Sequence, residues 1–359
     1  MPGAIKGCVL ARPEICSLQP YQPDCISCGI KLDANESSWD IPPEVKETFF
    51  ARVKEIAINR YPDATWKGLR TALSERHGVA AEQILIGNGS SELILALMQT
   101  FGGAGRRVVY PAPSFAMYPI YAVIAGAVGV EVTLDEHFKL DSADVITQSR
   151  QQGTGLVMLC SPNNPTGNAM ALEDIEQIIA KSPCVVAVDE AYFEFHGITA
   201  LPLIHKYSNV VILRTFSKAY GLAGARVGYL LGSKPVVEQI AKVVLPYNVN
   251  MLSLTMAEVL MSQAAVFLPR VQVIVEERER MAELLAAIPG VFVFPSRSNF
   301  LCFKTRLSSE IVTQQLLKAD IGIKDLGKDI PKGLRVTVGI PSENDSFIQA
   351  LRSIMTGVV

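Results

Sequence analysis

The sequence has no excess of charge of either sign. Its 359 residues include 33 lysines and arginines and 35 aspartates and glutamates, which gives a formal net charge of −2. The two signs are mixed along the chain, and no basic stripe of the kind that binds a polyanion is present. We therefore expect neither nucleic acid nor an anionic membrane surface as a partner.

Long hydrophobic runs are missing as well. The longest apolar stretch, residues 119–130, is interrupted by glycine and is too short to cross a bilayer. The first residues carry Lys6, Arg12 and Glu14 without a continuous apolar core, so no signal peptide is expected. There is also no repeat of 20–50 residues. These absences favour a soluble, cytoplasmic protein.

The cysteines do not have the spacing and the additional ligands that a metal site requires. Cys25 and Cys28 form a CxxC motif, but no second such motif and no nearby histidine complete a ligand set. Cys160, Cys184 and Cys302 lie in apolar, strand-like runs and are expected to be small buried residues. We therefore expect no metal, and the odd total of seven argues against a disulfide framework.

What the chain does contain is enough apolar residues, 49%, for a large core. From residue 84 onward, short apolar runs alternate with helical patterns, which is typical of a mostly parallel sheet covered by helices on both faces. Seven runs predict seven strands: residues 84–86, 108–110, 128–134, 156–160, 185–188, 210–213 and 227–231.

The pattern changes after about residue 250. A long helical stretch, residues 251–287 with a bend expected at Pro269, is followed by apolar runs with fewer helices between them. We predict an N-terminal arm (1–40), a large domain (41–250) and a smaller α+β domain (251–359) that includes the long helix. The cleft between the two domains is the expected ligand site.

One stretch after the run 210–213 combines a lysine with phosphate-binding residue types. A lysine at the end of a buried strand, here Lys218, can be desolvated and then acts as a nucleophile. The hydroxyls of Thr215 and Ser217, with Arg226 eight residues after the lysine, could hold a phosphate. An imine-forming lysine beside a phosphate site suggests pyridoxal phosphate, PLP. The alternative is a surface lysine that follows a strand.

Two other motifs carry polar residues at the ends of predicted elements. Asp189 ends an apolar strand, which places it at the edge of the sheet where ligands bind, although a turn-capping aspartate is the alternative. Gly89, Ser90 and Ser91 precede a helix, so their backbone N–H groups could face an anion. Helices also begin routinely at serine, so this motif alone is a weak signal.

Eight segments follow one another in a recognisable order. They are residues 18–21 (LQPY), 32–36 (LDANE), 60–63 (RYPD), 87–92 (GNGSSE), 161–167 (SPNNPTG), 189–192 (DEAY), 214–226 (RTFSKAYGLAGAR) and 333–339 (GLRVTVG). Together they resemble the class I/II aminotransferases of fold type I, and within these most closely the histidinol-phosphate aminotransferase family. The resemblance runs from about Leu18 to about Ser342.

The resemblance implies a PLP cofactor bound covalently to Lys218, which would also move the proton at the substrate Cα. Asp189 would lie against the pyridine nitrogen, and Tyr192 and Asn164 against the phenolic oxygen, with Asn164 also facing the substrate. Phe115 would stack on the ring, unless it is an ordinary core phenylalanine.

The phosphate of PLP and the second subunit are also implied by the resemblance. Tyr61 is similar to a tyrosine that reaches the phosphate from the neighbouring subunit, so a homodimer with shared active sites is implied; a buried turn aromatic is the alternative. The implied phosphate-binding residues of the same subunit are Gly89, Ser90, Ser91, Thr215, Ser217 and Arg226.

The substrate end departs from the family at one position. Arg335 resembles the arginine that binds the α-carboxylate of glutamate and, alternately, the phosphate of histidinol phosphate. Tyr21 resembles a tyrosine that contacts this phosphate from the partner subunit, and Asn35 and Glu36 resemble a pocket-lining segment. Lys324 stands where the family usually has arginine, and lysine offers a point charge without the bidentate fork.

The implied reaction interconverts imidazole-acetol phosphate and L-glutamate with L-histidinol phosphate and 2-oxoglutarate, a step of histidine biosynthesis. Aromatic amino-acid aminotransferase activity is an alternative that would need an apolar side-chain pocket. Decarboxylation of a phosphorylated amino acid such as threonine phosphate is a second alternative. A PLP-binding regulator is a third, and would be expected to carry an added DNA-binding domain.

Overall fold

A computed structural model describes residues 11–20 and 27–357 of the chain. The strands, in chain order, are β1 (Ile30–Lys31), β2 (Ile84–Gly87), β3 (Arg107–Ala112), β4 (Val128–Thr133), β5 (Thr154–Cys160), β6 (Val185–Asp189), β7 (Val210–Thr215), β8 (Gly228–Gly232), β9 (Val291–Val293), β10 (Phe300–Thr305), β11 (Ile321–Gly322), β12 (Lys324–Asp325) and β13 (Gly333–Thr337). The α-helices are α1 (Pro13–Cys16), α2 (Pro43–Val53), α3 (Lys67–His77), α4 (Ser90–Phe101), α5 (Met117–Ala125), α6 (Ser142–Ser149), α7 (Leu172–Lys181), α8 (Phe193–His196), α9 (Lys234–Ala241), α10 (Met251–Ser262), α11 (Leu268–Ala286), α12 (Ser309–Lys318) and α13 (Pro341–Thr356).

Seven strands form one large sheet, in the spatial order β2-β8-β7-β6-β5-β3-β4. The pairs between β3 and β4, β3 and β5, β5 and β6, and β6 and β7 are parallel. β8 runs opposite to the other six strands of this sheet and pairs antiparallel with both of its neighbours, β7 and β2. The mostly parallel, seven-stranded sheet predicted from the apolar runs is thereby confirmed.

Helices cover both faces of this sheet, as continuous apolar strands require. Alternate residues of a strand point to opposite faces. In β5, Val157 and Leu159 belong to one buried cluster, with residues of α3, α6, α7 and α10. Leu156 and Met158 belong to a second buried cluster, with residues of α4, α5 and α9.

A second, smaller sheet has the order β12-β13-β10-β9 and is antiparallel throughout. It packs with α11, α12 and α13 around a third buried cluster that includes Phe300, Phe303 and Phe347. β1 pairs in parallel with β11, so the segment before the large sheet is joined to this smaller unit. The smaller α+β unit is therefore present, while domain limits at residues 40 and 250 stay predictions.

The long helix expected after residue 250 is broken earlier than predicted. α10 ends at Ser262, a 3-10 turn spans Ala264–Phe267, and the helical segments on either side are bent by 80°. Pro269 lies in the first turn of α11, where its missing N–H leaves no helical hydrogen bond unmade. The bend therefore precedes the proline instead of being caused by it.

Neither a single membrane-spanning helix nor a metal-binding cluster occurs in the described residues. No single helix in residues 11–20 and 27–357 is long and apolar enough to cross a membrane. The bent pair Met251–Ser262 and Ala264–Ala286 reaches that length and apolar composition only when its two helices are taken together. Over the same ranges, no group of three or more His, Cys, Asp or Glu side chains could hold a metal ion.

The cysteines agree with expectation at three positions and differ at one. Cys160, Cys184 and Cys302 are free and buried, as their apolar surroundings predicted. Cys16 is disulfide-bonded, so the odd number of cysteines was a poor guide to its state. Cys25 lies outside the described residues.

A buried ion pair joins the ends of β6 and β7. Arg214 donates to Glu190 Oε2 from Nη2 at 2.7 Å and from Nε at 3.1 Å, and both side chains are only 2% exposed. The ring of Phe193 lies 3.6 Å from the guanidinium carbon. Since Glu190 directly follows Asp189 and Arg214 directly precedes Thr215, this pair fixes the two chain segments that carry candidate site residues.

We predict that Glu190→Ala lowers the free energy of unfolding by about 3–5 kcal/mol, because Arg214 is left as an unpaired charge in the interior. Urea denaturation of the purified variant would measure the loss. Glu176→Ala is the matched control, since it removes an exposed pair with Lys206 and should change the midpoint little. A similarly small change in both variants would contradict the stabilising role of the buried pair.

Candidate active site

The candidate site lies where the carboxyl ends of β5, β6 and β7 meet the smaller unit. Asp189 is the last residue of β6. Across the cleft, Arg335 of β13 donates from Nη1 to Asn164 Oδ1 at 2.7 Å, and from Nη2 to the Asp33 carbonyl oxygen at 2.5 Å. Residues predicted from four separate motifs therefore meet at this edge of the sheet.

Lys218 is held in a half-buried position three residues after β7. Its Nζ donates to the carbonyl oxygen of Ala34 at 2.9 Å and lies 6.0 Å from the centre of the Tyr192 ring. Burial lowers the pKa of the Lys218 amine to about 7, and the positive charge of Arg335 acts in the same direction. A large share of this amine is therefore uncharged at neutral pH, which a nucleophile or proton acceptor requires.

Asp189 is a buried carboxylate, 4% exposed, that accepts two hydrogen bonds. Its Oδ2 accepts from the hydroxyl of Tyr118 at 2.9 Å, and its Oδ1 accepts from the backbone N–H of Ala191 at 3.1 Å. Burial raises the pKa of Asp189 to about 6. None of the ion pairs between described residues includes Asp189. A buried carboxylate of this kind suits a cationic ligand atom, such as a protonated pyridine nitrogen.

Tyr192 and Asn35 form a buried pair beside the lysine. Asn35 Nδ2 donates to the Tyr192 hydroxyl at 3.0 Å. Asn35 itself has a φ of +55°, a conformation that asparagine tolerates better than most residues. It is fixed by Thr337, whose Oγ1 accepts from its N–H at 2.9 Å, and by Asn299, whose Nδ2 donates to its carbonyl oxygen at 3.1 Å.

Arg335 and Lys324 are direct cross-strand partners in the β12–β13 pair. Directly opposed residues project from the same face of a sheet, so the two cationic side chains leave the strands side by side. Lys324, the position at which this chain departs from the family, thus belongs to the same face as the arginine expected to bind substrate.

The predicted phosphate-binding residues converge at the beginning of α4. Gly89 has a φ of +77°, and a Cβ added to it would lie 2.4 Å from Nη2 of Arg226, so the guanidinium lies directly against this glycine. Gly228, at the start of β8, approaches the backbone N of Ser90 so closely that a Cβ would lie 2.3 Å from it. Arg226 also has a positive φ, +54°.

The register of β7 and β8 brings the hydroxyls to the same place. Thr215 pairs with Gly228, the residue that contacts Ser90. Thr215 Oγ1 donates to Ser217 Oγ at 3.0 Å and accepts from the Ser217 N–H at 3.1 Å. With Ser91 in the first turn of α4, these groups form a set of N–H, hydroxyl and guanidinium donors suited to a phosphate.

Phe115 is connected to Asp189 by the side chain of Tyr118, which contacts both residues. Its ring makes an edge contact with Tyr118, with the ring centres 5.5 Å apart at 83°, and Tyr118 bonds Asp189. α5 begins at Met117, and Ser114, which precedes it, donates from Oγ to Asn163 Oδ1 at 2.6 Å.

Tyr61 is not a buried turn aromatic, which had been the alternative for this residue. It is 80% exposed and stacks on Tyr247, with ring centres 4.5 Å apart and planes 14° apart. Glu36 Oε2 accepts a hydrogen bond from Lys31 Nζ at 2.5 Å, and Glu36 lines the same small cavity as Lys218. Tyr21, expected to contact substrate from the partner subunit, lies outside the described residues.

Three side chains of this site, Tyr118, Thr337 and Asn299, were not among the residues predicted from the motifs. The sequence around the first two contained a pattern that could have indicated them. Tyr118 follows Phe115 by three residues in a helical pattern, which places both on one face. Thr337 follows Arg335 by two residues in a strand, which also places both on one face. Asn299 had no local signal, since it precedes β10 in an irregular segment.

Comparison with known proteins identifies the family. The family model described as aminotransferase class I and II matches residues 28–351. The chain belongs to the class I and II aminotransferases. This membership confirms the predicted enzyme class, that of the PLP-dependent aminotransferases.

Relatives and solved structures of this aminotransferase family agree over almost the whole chain. The histidinol-phosphate aminotransferase of Thermoanaerobacter pseudethanolicus is 40% identical over 348 residues, covering 96% of this chain and 99% of that protein. The crystal structure of the histidinol-phosphate aminotransferase of Clostridium acetobutylicum is 25% identical, has a TM-score of 0.85 and covers 91% and 99% of the two chains. That of Sinorhizobium meliloti, in complex with pyridoxal-5'-phosphate, has a TM-score of 0.88 at 23% identity and covers 98% of each, which supports the fold.

The low pKa of Lys218 predicts how it reacts when no cofactor is bound. We expect an amine-selective acylating reagent at limiting concentration to label Lys218 with a half-maximal rate near pH 7, because the uncharged amine is the reactive form. Peptide mass spectrometry of digests across a pH series would give the profile. Lys206 serves as the internal control, since Glu176 raises its pKa and its labelling should increase only at alkaline pH. Parallel profiles for the two lysines would refute the prediction.

Proposed function

We propose that this aminotransferase is a histidinol-phosphate aminotransferase, which transfers an amino group between L-glutamate and imidazole-acetol phosphate. The observation that carries the proposal is the 40% identity, over 96% of the chain, to a relative with that name. Two adjacent cations at the substrate end, Arg335 and Lys324, support it, because they suit a substrate that bears a phosphate.

We assign PLP to a covalent attachment on Lys218 Nζ. When bound, the cofactor supplies an electron-withdrawing ring that stabilises negative charge at the substrate Cα. Once the amino group of the substrate has replaced it on the cofactor, Lys218 Nζ, with its pKa lowered to about 7, would be suited to take the proton from Cα and to pass it on. The carbonyl of Ala34 gives this amine a fixed hydrogen-bond acceptor.

Four further residues are assigned to the cofactor ring. The carboxylate of Asp189 would keep the pyridine nitrogen protonated, since an opposing charge favours the cationic form. The Tyr192 hydroxyl and the Asn164 amide would bond the phenolic oxygen, and Phe115 would cover one face of the ring. Asn35, which bonds Tyr192, would hold that hydroxyl in place.

The donors around the start of α4 are assigned to the cofactor phosphate. They combine backbone N–H groups at a helix N-terminus with hydroxyls and a guanidinium, the set that binds anions most readily. The residues are Gly89, Ser90, Ser91, Thr215, Ser217 and Arg226.

Substrate recognition is assigned mainly to Arg335, which would bind the α-carboxylate of glutamate and, alternately, the phosphate of histidinol phosphate. Lys324 would add a point charge to the phosphate from the same face of the sheet. Asn35 and Asn164 would line the pocket, and Tyr21 of the second subunit would complete it.

We also infer that two chains form a homodimer with shared sites. Seven of the large hydrophobic side chains that are exposed fall in two segments, and the stacked pair Tyr61 and Tyr247 joins the two segments into one surface. An exposed apolar surface of this kind favours a protein partner. The seven residues are Phe50, Ile58, Tyr61, Val243, Leu245, Tyr247 and Leu252.

The dimer is tested by a charge placed on this surface. We predict that Leu245→Glu converts the dimer to a monomer, because a carboxylate would be desolvated in the interface. Leu245 is 70% exposed, so the monomer should fold normally. Phe292→Glu is the control, as Phe292 is 56% exposed but lies in β9, far from these segments in the sequence. Sedimentation velocity that gives equal masses for both variants would count against this interface.

The substrate is tested by half-reactions. The enzyme loaded with PLP is mixed separately with L-histidinol phosphate, L-glutamate, L-phenylalanine and L-threonine phosphate, and the visible absorbance of the bound cofactor is followed. We expect the visible absorbance to fall quickly with L-histidinol phosphate and L-glutamate and slowly with L-phenylalanine. We expect no release of CO₂ from any of the four substrates. Lys218→Ala should abolish turnover, since no other group is assigned to proton transfer.

A matched variant separates phosphate recognition from general catalysis. Lys324→Ala should raise KM for L-histidinol phosphate by roughly 10–100-fold, the value of a hydrogen bond to a charged group, and leave KM for glutamate nearly unchanged.

Two outcomes of the half-reactions would change the assignment. Fast reaction with phenylalanine alone would reassign the enzyme to aromatic amino acids, and CO₂ from threonine phosphate would reassign it to decarboxylation. A cytoplasmic location stays a prediction.

A further inference from the structure

We propose that Tyr118 is a positioning residue for Asp189: its hydroxyl fixes the orientation of the buried carboxylate that faces the pyridine nitrogen of the cofactor. The inference rests on the proposed assignment of Asp189. It adds a residue that touches neither cofactor nor substrate in that assignment, and whose hydroxyl acts through the carboxylate.

The geometry of the contact is that of a fixed support. Tyr118 is fully buried near the beginning of α5, and its hydroxyl donates to Asp189 Oδ2 at 2.9 Å. The other carboxylate oxygen, Oδ1, accepts from the backbone N–H of Ala191 at 3.1 Å. With one donor on each oxygen, the carboxylate cannot rotate without breaking a charge-assisted hydrogen bond. The plane of the carboxylate is therefore set before any ligand binds.

The groups around Asp189 make the hydroxyl of Tyr118 important for keeping this carboxyl ionised. The titratable groups around Asp189 are Tyr118 from α5, Cys160 from the paired position of β5, and Glu190 and Tyr192 from its own segment. None of these four is a cation. Burial raises the pKa of Asp189, and the hydrogen bond from Tyr118 is the largest influence in the opposite direction. Loss of this bond would favour the neutral acid, which is a poor partner for a protonated pyridine.

Tyr118 also links the two sides of the proposed cofactor site. Its ring makes an edge contact with Phe115, the residue assigned to the face of the cofactor, while its hydroxyl reaches the carboxylate assigned to the edge. Tyr118→Phe removes only the hydroxyl and keeps the ring that supports Phe115. The variant therefore separates the effect on Asp189 from the effect of packing.

Tyr110 provides a matched control in the same aromatic cluster. It is buried, its ring centre lies 6.2 Å from that of Tyr118, and its hydroxyl lies against Gly129 of β4 instead of Asp189. Tyr110→Phe thus removes a buried hydroxyl from a neighbouring ring without altering the carboxylate.

The experiment measures binding and a spectroscopic signature in addition to activity. We expect Tyr118→Phe to weaken the binding of pyridoxamine 5'-phosphate, the probe, by roughly tenfold, because a hydrogen bond to a charged group is lost. The pH at which the absorbance of bound PLP changes should shift in this variant, and kcat should fall with little change in KM for glutamate. Tyr110→Phe should match the wild type in all three measurements.

A double-mutant cycle tests whether Tyr118 acts through Asp189. In an Asp189→Asn background, Tyr118→Phe should no longer reduce the affinity for the probe, since the charge it supports is absent. Equal losses in both backgrounds, or equal behaviour of Tyr118→Phe and Tyr110→Phe, would overturn the inference. Failure of the wild type to bind PLP would instead refute the proposed function, and the two failures are therefore distinguishable.

Discussion

A buried carboxylate that forms no ion pair with any described residue is the constraint on which the site depends. Asp189 ends β6 in the interior, and its oxygens accept from the hydroxyl of Tyr118 and from the backbone N–H of Ala191. Such a charge is costly in a protein interior unless a ligand neutralises it. The nearby pair of Arg214 and Glu190 stabilises the two strand ends, so the large sheet can hold the unpaired charge in a fixed position.

The segment 33–36 joins the two units of the molecule around the lysine. The carbonyl oxygen of Asp33 accepts from Arg335 of the smaller sheet, and the next carbonyl, that of Ala34, accepts from Lys218. The following residue, Asn35, bonds Tyr192. Three consecutive residues therefore connect the proposed substrate, lysine and cofactor groups, so a displacement of this segment would affect all of them together.

The large sheet was predictable because its strands are buried on both faces, and continuous apolar runs such as residues 156–160 and 210–213 have few other interpretations. Element boundaries were less predictable. The segment before α5, for example, includes Ser114, whose side chain bonds Asn163, a partner 49 residues away. The break between α10 and α11 likewise precedes Pro269, which lies in the first turn of α11.

The sequence by itself determined the sheet, the family and the presence of Lys218 and Asp189 at the ends of their strands, because apolar periodicity and strand-end motifs are local signals. Only the tertiary structure decided the partners of those residues. Tyr118 and Asp189 are 71 residues apart, Asn35 and Tyr192 are 157 apart, and Lys324 opposes Arg335 through the register of a sheet. These contacts depend on how helices and strands pack in three dimensions, and no local pattern specifies that packing.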